Sequence, residues 1–102
     1  MTIEQQKNSL MARAIITFKL MPESPEVDLE PIKIKAQAIA KEHGALGQMQ
    51  CKEDPIAFGL KAVLVLAMYE MKEQDFDAIA AKMGEIPDVL SAEVAKMDLA
   101  LG

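Results

Sequence analysis

The sequence predicts an α+β fold in which a four-stranded antiparallel sheet carries two helices on one face, in the order βαββαβ. Three observations predict it. Apolar and polar residues alternate with period two near the start, at Ala14, Ile16, Phe18 and Leu20. Apolar residues recur at spacings of three and four in two later segments, led by Leu29 and by Phe76. Between those segments, Ala62 to Tyr69 is an unbroken apolar run of the length and composition of a buried strand.

Each element has its own warrant. Residues 1–10, "MTIEQQKNSL", are polar and without a clear period, and are expected to be a disordered N-terminal extension of a single domain spanning 11–102. "ARAIITFKL" reads as the first strand, its alternation broken only by Ile15. "MPESPEVD" is a proline-punctuated turn that ends on Asp28, a good N-cap. The helix after it presents Leu29, Ile32, Ala36, Ile39 and Ala40 on one face, tolerates Pro31 in its first turn, and ends at Gly44. "ALGQMQCKED" is a weaker strand, with Leu46, Met49 and Cys51 as inward positions. "LKAVLVLAMYEM" is the strongest strand, and its continuous apolar character suggests a central place covered on both faces or nearly so. Phe76, Ile79, Ala80 and Met83 make the face of the second helix, which Gly84 ends. By propensity alone the tail "VLSAEVAKMDLALG" favours helix. The preceding order instead calls for a strand that completes a split βαβ repeat, the ferredoxin-like sandwich.

Composition bounds the function. A chain of 102 residues is one domain by size. Its 11 Lys and Arg against 16 Asp and Glu give a net charge of -5, so the surface field repels phosphate backbones, and no direct nucleic-acid partner is expected. One cysteine excludes an intramolecular disulfide and a paired-thiol metal site, which fits a reducing cytoplasm. The longest apolar run is far short of the roughly 20 residues that span a bilayer, so no membrane partner is expected either.

Catalytic constellations are scarce. His43 is the sole histidine and sits where the first helix ends, which suits a cation at the negative end of the helix dipole. Cys51 reads as a small apolar residue within a strand. The carboxylates fall into three groups, around Glu23 to Glu30, at Glu53 and Asp54, and around Glu70 to Asp77, all explicable as caps and solvated loops. The five glycines are scattered, so no phosphate-cradling loop is present. No cofactor, metal site or covalent chemistry is expected of the chain.

One stretch departs from this plain reading. In "DPIAFGLKA" an aromatic, Phe58, stands directly before Gly59 at the turn between the second and third strands, where loops are usually polar. With the "MPESPEVDLE" entry to the first helix, this turn resembles the archaeal elongation factor 1-beta family, the guanine-nucleotide exchange factor for elongation factor 1-alpha. The resemblance runs from about Met11 to the C-terminus and implies the same ferredoxin-like fold. It further implies that the chain binds elongation factor 1-alpha in its GDP-bound and nucleotide-free states, disturbs the magnesium and phosphate site, and lets GDP leave. By position, Phe58 matches the family aromatic that inserts into a pocket of the partner's GTPase domain, Ala57 and Gly59 flank it, and Lys61 matches the basic residue two beyond the glycine. Eukaryotic members also direct a lysine near the C-terminus toward the magnesium site; that position falls on or near Leu99, and the closest cation is Lys96.

Two other readings of the same fold remain. A small-molecule regulatory module needs a polar, glycine-bearing loop after the first strand, where this chain has "MPESPEVD". A purely structural interaction domain needs only an exposed apolar patch, which Phe58 could supply.

Overall fold

The computed structural model describes residues 13–71 and 74–100, so the expected extension at residues 1–10 lies outside the described residues. Six principal elements follow in the order β1 (Arg13–Pro22), α1 (Leu29–Glu42), β2 (Leu46–Pro55), β3 (Lys61–Glu70), α2 (Phe76–Met83) and β4 (Val89–Ala100). The strands form one antiparallel sheet of order β2-β3-β1-β4. This is the ferredoxin-like arrangement, and the tail is a strand despite its helical propensity. Pairing with β1, from Arg13 opposite Ala100 to Pro22 opposite Val89, outweighs the local preference.

Both helices lie on one face, as the alternation along β1 and β3 requires. Ile16, Phe18 and Leu20 of β1 and Val63, Val65 and Tyr69 of β3 are fully buried beneath Ile32, Ala36 and Ala40 of α1 and Ile79, Ala80 and Met83 of α2. Tyr69 joins the two layers. Its hydroxyl donates to the Ala40 carbonyl of α1 at 3.2 Å, while its ring meets Phe76 of α2 and Phe18 of β1 edge-on. The helix ends are capped as the sequence suggests. Asp28 accepts from the Glu30 amide and Asp75 from the Ala78 amide, both at 3.1 Å. At the end of α1, Gly44 takes a φ of 103°, and the Ala45 and Gly44 amides donate back to Ala40 and Lys41, closing a Schellman motif.

Two expectations need correction. β3 is central, but only one of its faces lies beneath the helices. Leu64, Leu66 and Met68 point the other way and, with Ile15, are only half-buried by their sheet neighbours. Leu46 is not an inward position. Strict alternation back from Cys51 and Met49 sends Leu46 to the face away from the helices, opposite Met68, and the register shift between Leu46 and Gln50, where Gly47 adopts a φ of 66°, leaves that face unchanged. Met49 and Cys51 do pack toward the core, Cys51 opposite Val65 with its sulfur accepting from the Gln37 side chain. No helix among the described residues is long and apolar enough to cross a membrane.

Candidate functional site

The site is built on the β2–β3 hairpin. Pro55 pairs with Lys61, and the five residues between them close on two backbone hydrogen bonds: the Ile56 amide donates to Leu60 at 2.7 Å, and the Leu60 amide to Ala57 at 3.3 Å. The inner bond makes Ala57–Leu60 a four-residue turn with Phe58 and Gly59 at its centre. Both take positive φ, 64° and 78°, the sign pattern of a type I′ turn, whose twist matches that of the strands it joins. Glycine, asparagine and aspartate suit those positions; a bulky aromatic does not. Holding Phe58 there costs on the order of 1 kcal/mol or more, because its Cβ crowds the backbone in the left-handed region.

Nothing in the fold offsets that cost. Phe58 is 93% exposed, the most exposed of the large apolar residues described. Gly59 faces the β1–α1 turn, where a Cβ would stand 3.8 Å from Pro25, an ordinary contact. Its positive φ, rather than lack of room, favours glycine. The "MPESPEVD" segment therefore backs the tip, and a small cavity of about 170 Å³ lies between Pro22, Val27 and Leu29 on that side and Glu53 and Lys61 on the hairpin. Ala57 is exposed beside Phe58.

Behind the tip runs a chain of alternating charges. Glu53 stands on the helix side of β2, opposite Val63, and so meets the first turns of α1. Its Oε2 accepts from the Lys33 ammonium at 2.7 Å, while Lys33 also donates to Glu30 at 3.0 Å. The other Glu53 oxygen is 3.9 Å from the Lys61 ammonium, too far for a hydrogen bond. The hydrogen bond from Lys33 lowers the Glu53 carboxyl below the usual range, and its hydrogen bonds to Glu53 and then Glu30 raise the Lys33 ammonium above its own. Lys61 remains 56% exposed along its side chain.

The structure thus brings together Ala57, Phe58, Gly59 and Lys61, and separates them from Lys96. Lys96 lies in β4 opposite Thr17, which in turn pairs with Leu66, on the face away from the helices. Leu66 is five residues along β3 from Lys61, so Lys96 sits on the order of 17 Å down the sheet from the tip. Its ammonium is 3.7 Å from Asp98. Leu99 is farther still, aligned through Ala14 with Tyr69, and exposed. Lys33 and the role of Glu53 escape a reading of the sequence. The Glu30–Lys33 spacing signals a pair within one helix, but nothing local announces a partner twenty residues away.

No three His, Cys, Asp or Glu side chains converge on a possible metal position among the described residues. The arrangement presents an exposed aromatic on a stiff turn and, beside it, a half-exposed cation in a long ion pair with Glu53. Comparison with known proteins agrees with that character. The sequence model for the EF-1 guanine nucleotide exchange domain matches residues 15–99. The chain is 37% identical over 92 residues to a protein named elongation factor 1-beta from Methanococcus maripaludis, spanning 87% of this chain and 99% of that relative. Proteins of the same name from Methanobrevibacter smithii and Methanosphaerula palustris are 36% and 35% identical to it, over 82% and 87% of this chain and 92% and 99% of their own lengths.

Proposed function

Since the chain belongs to the EF-1 guanine nucleotide exchange domain family and is a translation elongation exchange factor, we propose that it binds elongation factor 1-alpha through the Phe58 turn and speeds GDP release by disturbing the partner's magnesium and phosphate site. One observation carries the part assigned to the turn. Phe58 is held in a backbone conformation unfavourable to it, yet its ring touches little of its own fold. A residue that weakens the fold and packs against nothing is best explained by a contact outside the molecule.

Exchange is a coupling problem. A factor that weakens nucleotide binding must contact its partner differently in the empty and filled states, and nucleotide weakens its binding by the same ratio. A preorganised aromatic suits that task because little conformational entropy is lost when it docks. In this reading Phe58 fills a pocket of the partner, Ala57 and Gly59 allow close backbone approach, and Lys61 meets acidic or polar groups at the rim. Lys96 cannot share that contact at its distance from the tip, so any engagement of the partner by Lys96 is a second, separate one. No bond is made or broken by this chain. The test is release of fluorescent GDP from the cognate elongation factor 1-alpha. Wild type should accelerate it, and Phe58→Ala should lose on the order of 2 kcal/mol, about thirtyfold in half-saturating concentration. No acceleration by wild type overturns the function, whereas acceleration untouched by the substitution overturns the role of Phe58.

A further inference from the structure

We infer that Lys33 is a positioning residue for the exchange surface: by holding the Glu53 carboxylate it keeps the Lys61 ammonium out of hydrogen-bonding contact with Glu53 and available to the partner. The inference rests on the reading that Lys61 touches the partner, and it adds a residue on a different element to that site.

The geometry is that of one carboxylate between two cations. Glu53 and Lys61 are diagonal neighbours across the β2–β3 pair, since Glu53 lies opposite Val63 and Lys61 opposite Pro55. A lysine stem easily spans that diagonal, so the 3.9 Å gap is not a limit of reach. Lys33 approaches the same carboxylate from α1 at 2.7 Å, and only 19% of its side chain is exposed, against 56% for Lys61. The better-buried cation hydrogen-bonds the carboxylate, and the better-exposed one is held only in the longer 3.9 Å ion pair. Glu30 takes a further Lys33 proton at 3.0 Å, which fixes that ammonium between two carboxylates and away from solvent. If Lys33 lost its charge, Glu53 would have only Lys61 to pair with. The tip would then present a neutral pair where it now presents a cation.

Six proteins test this in the GDP-release assay: wild type, Lys33→Met, Lys33→Arg, Lys33→Met with Glu53→Gln, Lys61→Met, and Lys33→Met with Lys61→Met. Methionine keeps the apolar stem and removes only the ammonium. Lys33→Met should raise the half-saturating concentration about threefold or more at an unchanged plateau, the signature of a weakened contact. Adding Glu53→Gln should restore it, because no carboxylate remains to capture Lys61. In the Lys61→Met background, Lys33→Met should have no further effect, and Lys33→Arg, which can also pair with Glu53, should behave as wild type. A Lys33→Met protein indistinguishable from wild type overturns the inference, as does a defect that persists beside Glu53→Gln or adds in full to Lys61→Met. A crystal structure of Lys33→Met decides the electrostatic half without any exchange assay. Lys61 should close from 3.9 Å to hydrogen-bonding distance of Glu53, and an unchanged gap contradicts the inference even if the family function holds.

Discussion

The chain has four aromatic side chains, and the fold treats them in two opposite ways. Phe18, Tyr69 and Phe76 meet edge-on between sheet and helices, with ring centroids 6.4 and 5.1 Å apart. Phe58 stands alone in solvent on a turn whose backbone disfavours it. In the first region each ring is supported by the elements around it: β1 and β3 place Phe18 and Tyr69 on the same face of the sheet, and α2 lays Phe76 against Tyr69. In the second, the support is all backbone, two hydrogen bonds and a glycine. The difference separates residues kept for the stability of this chain from one kept for binding to another.

Substitutions in the two regions should therefore act on different observables. The largest effect belongs to the core: Phe18→Ala leaves a cavity beneath both helices and should cost about 3–5 kcal/mol in chemical denaturation. Phe58→Ala in the same experiment should cost less than about 0.5 kcal/mol. A loss above about 1 kcal/mol at Phe58 would break the contrast.

Tyr69 offers a second probe, free of substitution. Burial pushes its hydroxyl up to about 12 from an ordinary value of 10.0. Below pH 10 it is protonated whether the chain is folded or not and contributes no pH dependence. Between about 10 and 12 the unfolded chain gives up the proton while the folded one keeps it, so stability should fall across that window by up to about 3 kcal/mol. It is the only tyrosine, so its ultraviolet titration reports the site alone. A midpoint near 10 would show that the ring is not held as described. Gly59→Ala comes next. Its φ of 78° should make alanine about 1 kcal/mol less stable, although Pro25 leaves room for the methyl. Equal stability of the two would show that the turn can relax, and that Phe58 is not held in place by it.

The two regions also differed in how far the sequence revealed them. The core was legible because alternation in β1 and three-four spacing in the helices point at the same interior, and the C-terminal strand followed from the order of the others against its own propensity. The position of Phe58 at a turn was legible from Pro55 and Gly59. Its left-handed backbone was not, since a phenylalanine is among the last residues that turn preferences would put there. Grouping Leu46 inward with Met49 breaks alternation, since the two are three residues apart, and strict alternation back from Cys51 and Met49 puts Leu46 on the far face, where the structure has it. The Lys33–Glu53 pair was hidden for a different reason. It joins a helix to an edge strand, and only the packing of one over the other brings the two charges together.

The smallest stability effect is also the most direct test. Phe58→Asn replaces a residue the turn resists with one it favours, so denaturation should show the protein unchanged or more stable by up to about 1 kcal/mol. In parallel, the half-saturating concentration for GDP release from elongation factor 1-alpha should rise by about tenfold or more. A stability gain joined to an exchange loss is the result expected of an aromatic kept for a partner. A protein that loses stability and keeps full exchange would contradict the account, because Phe58 would then serve its own fold.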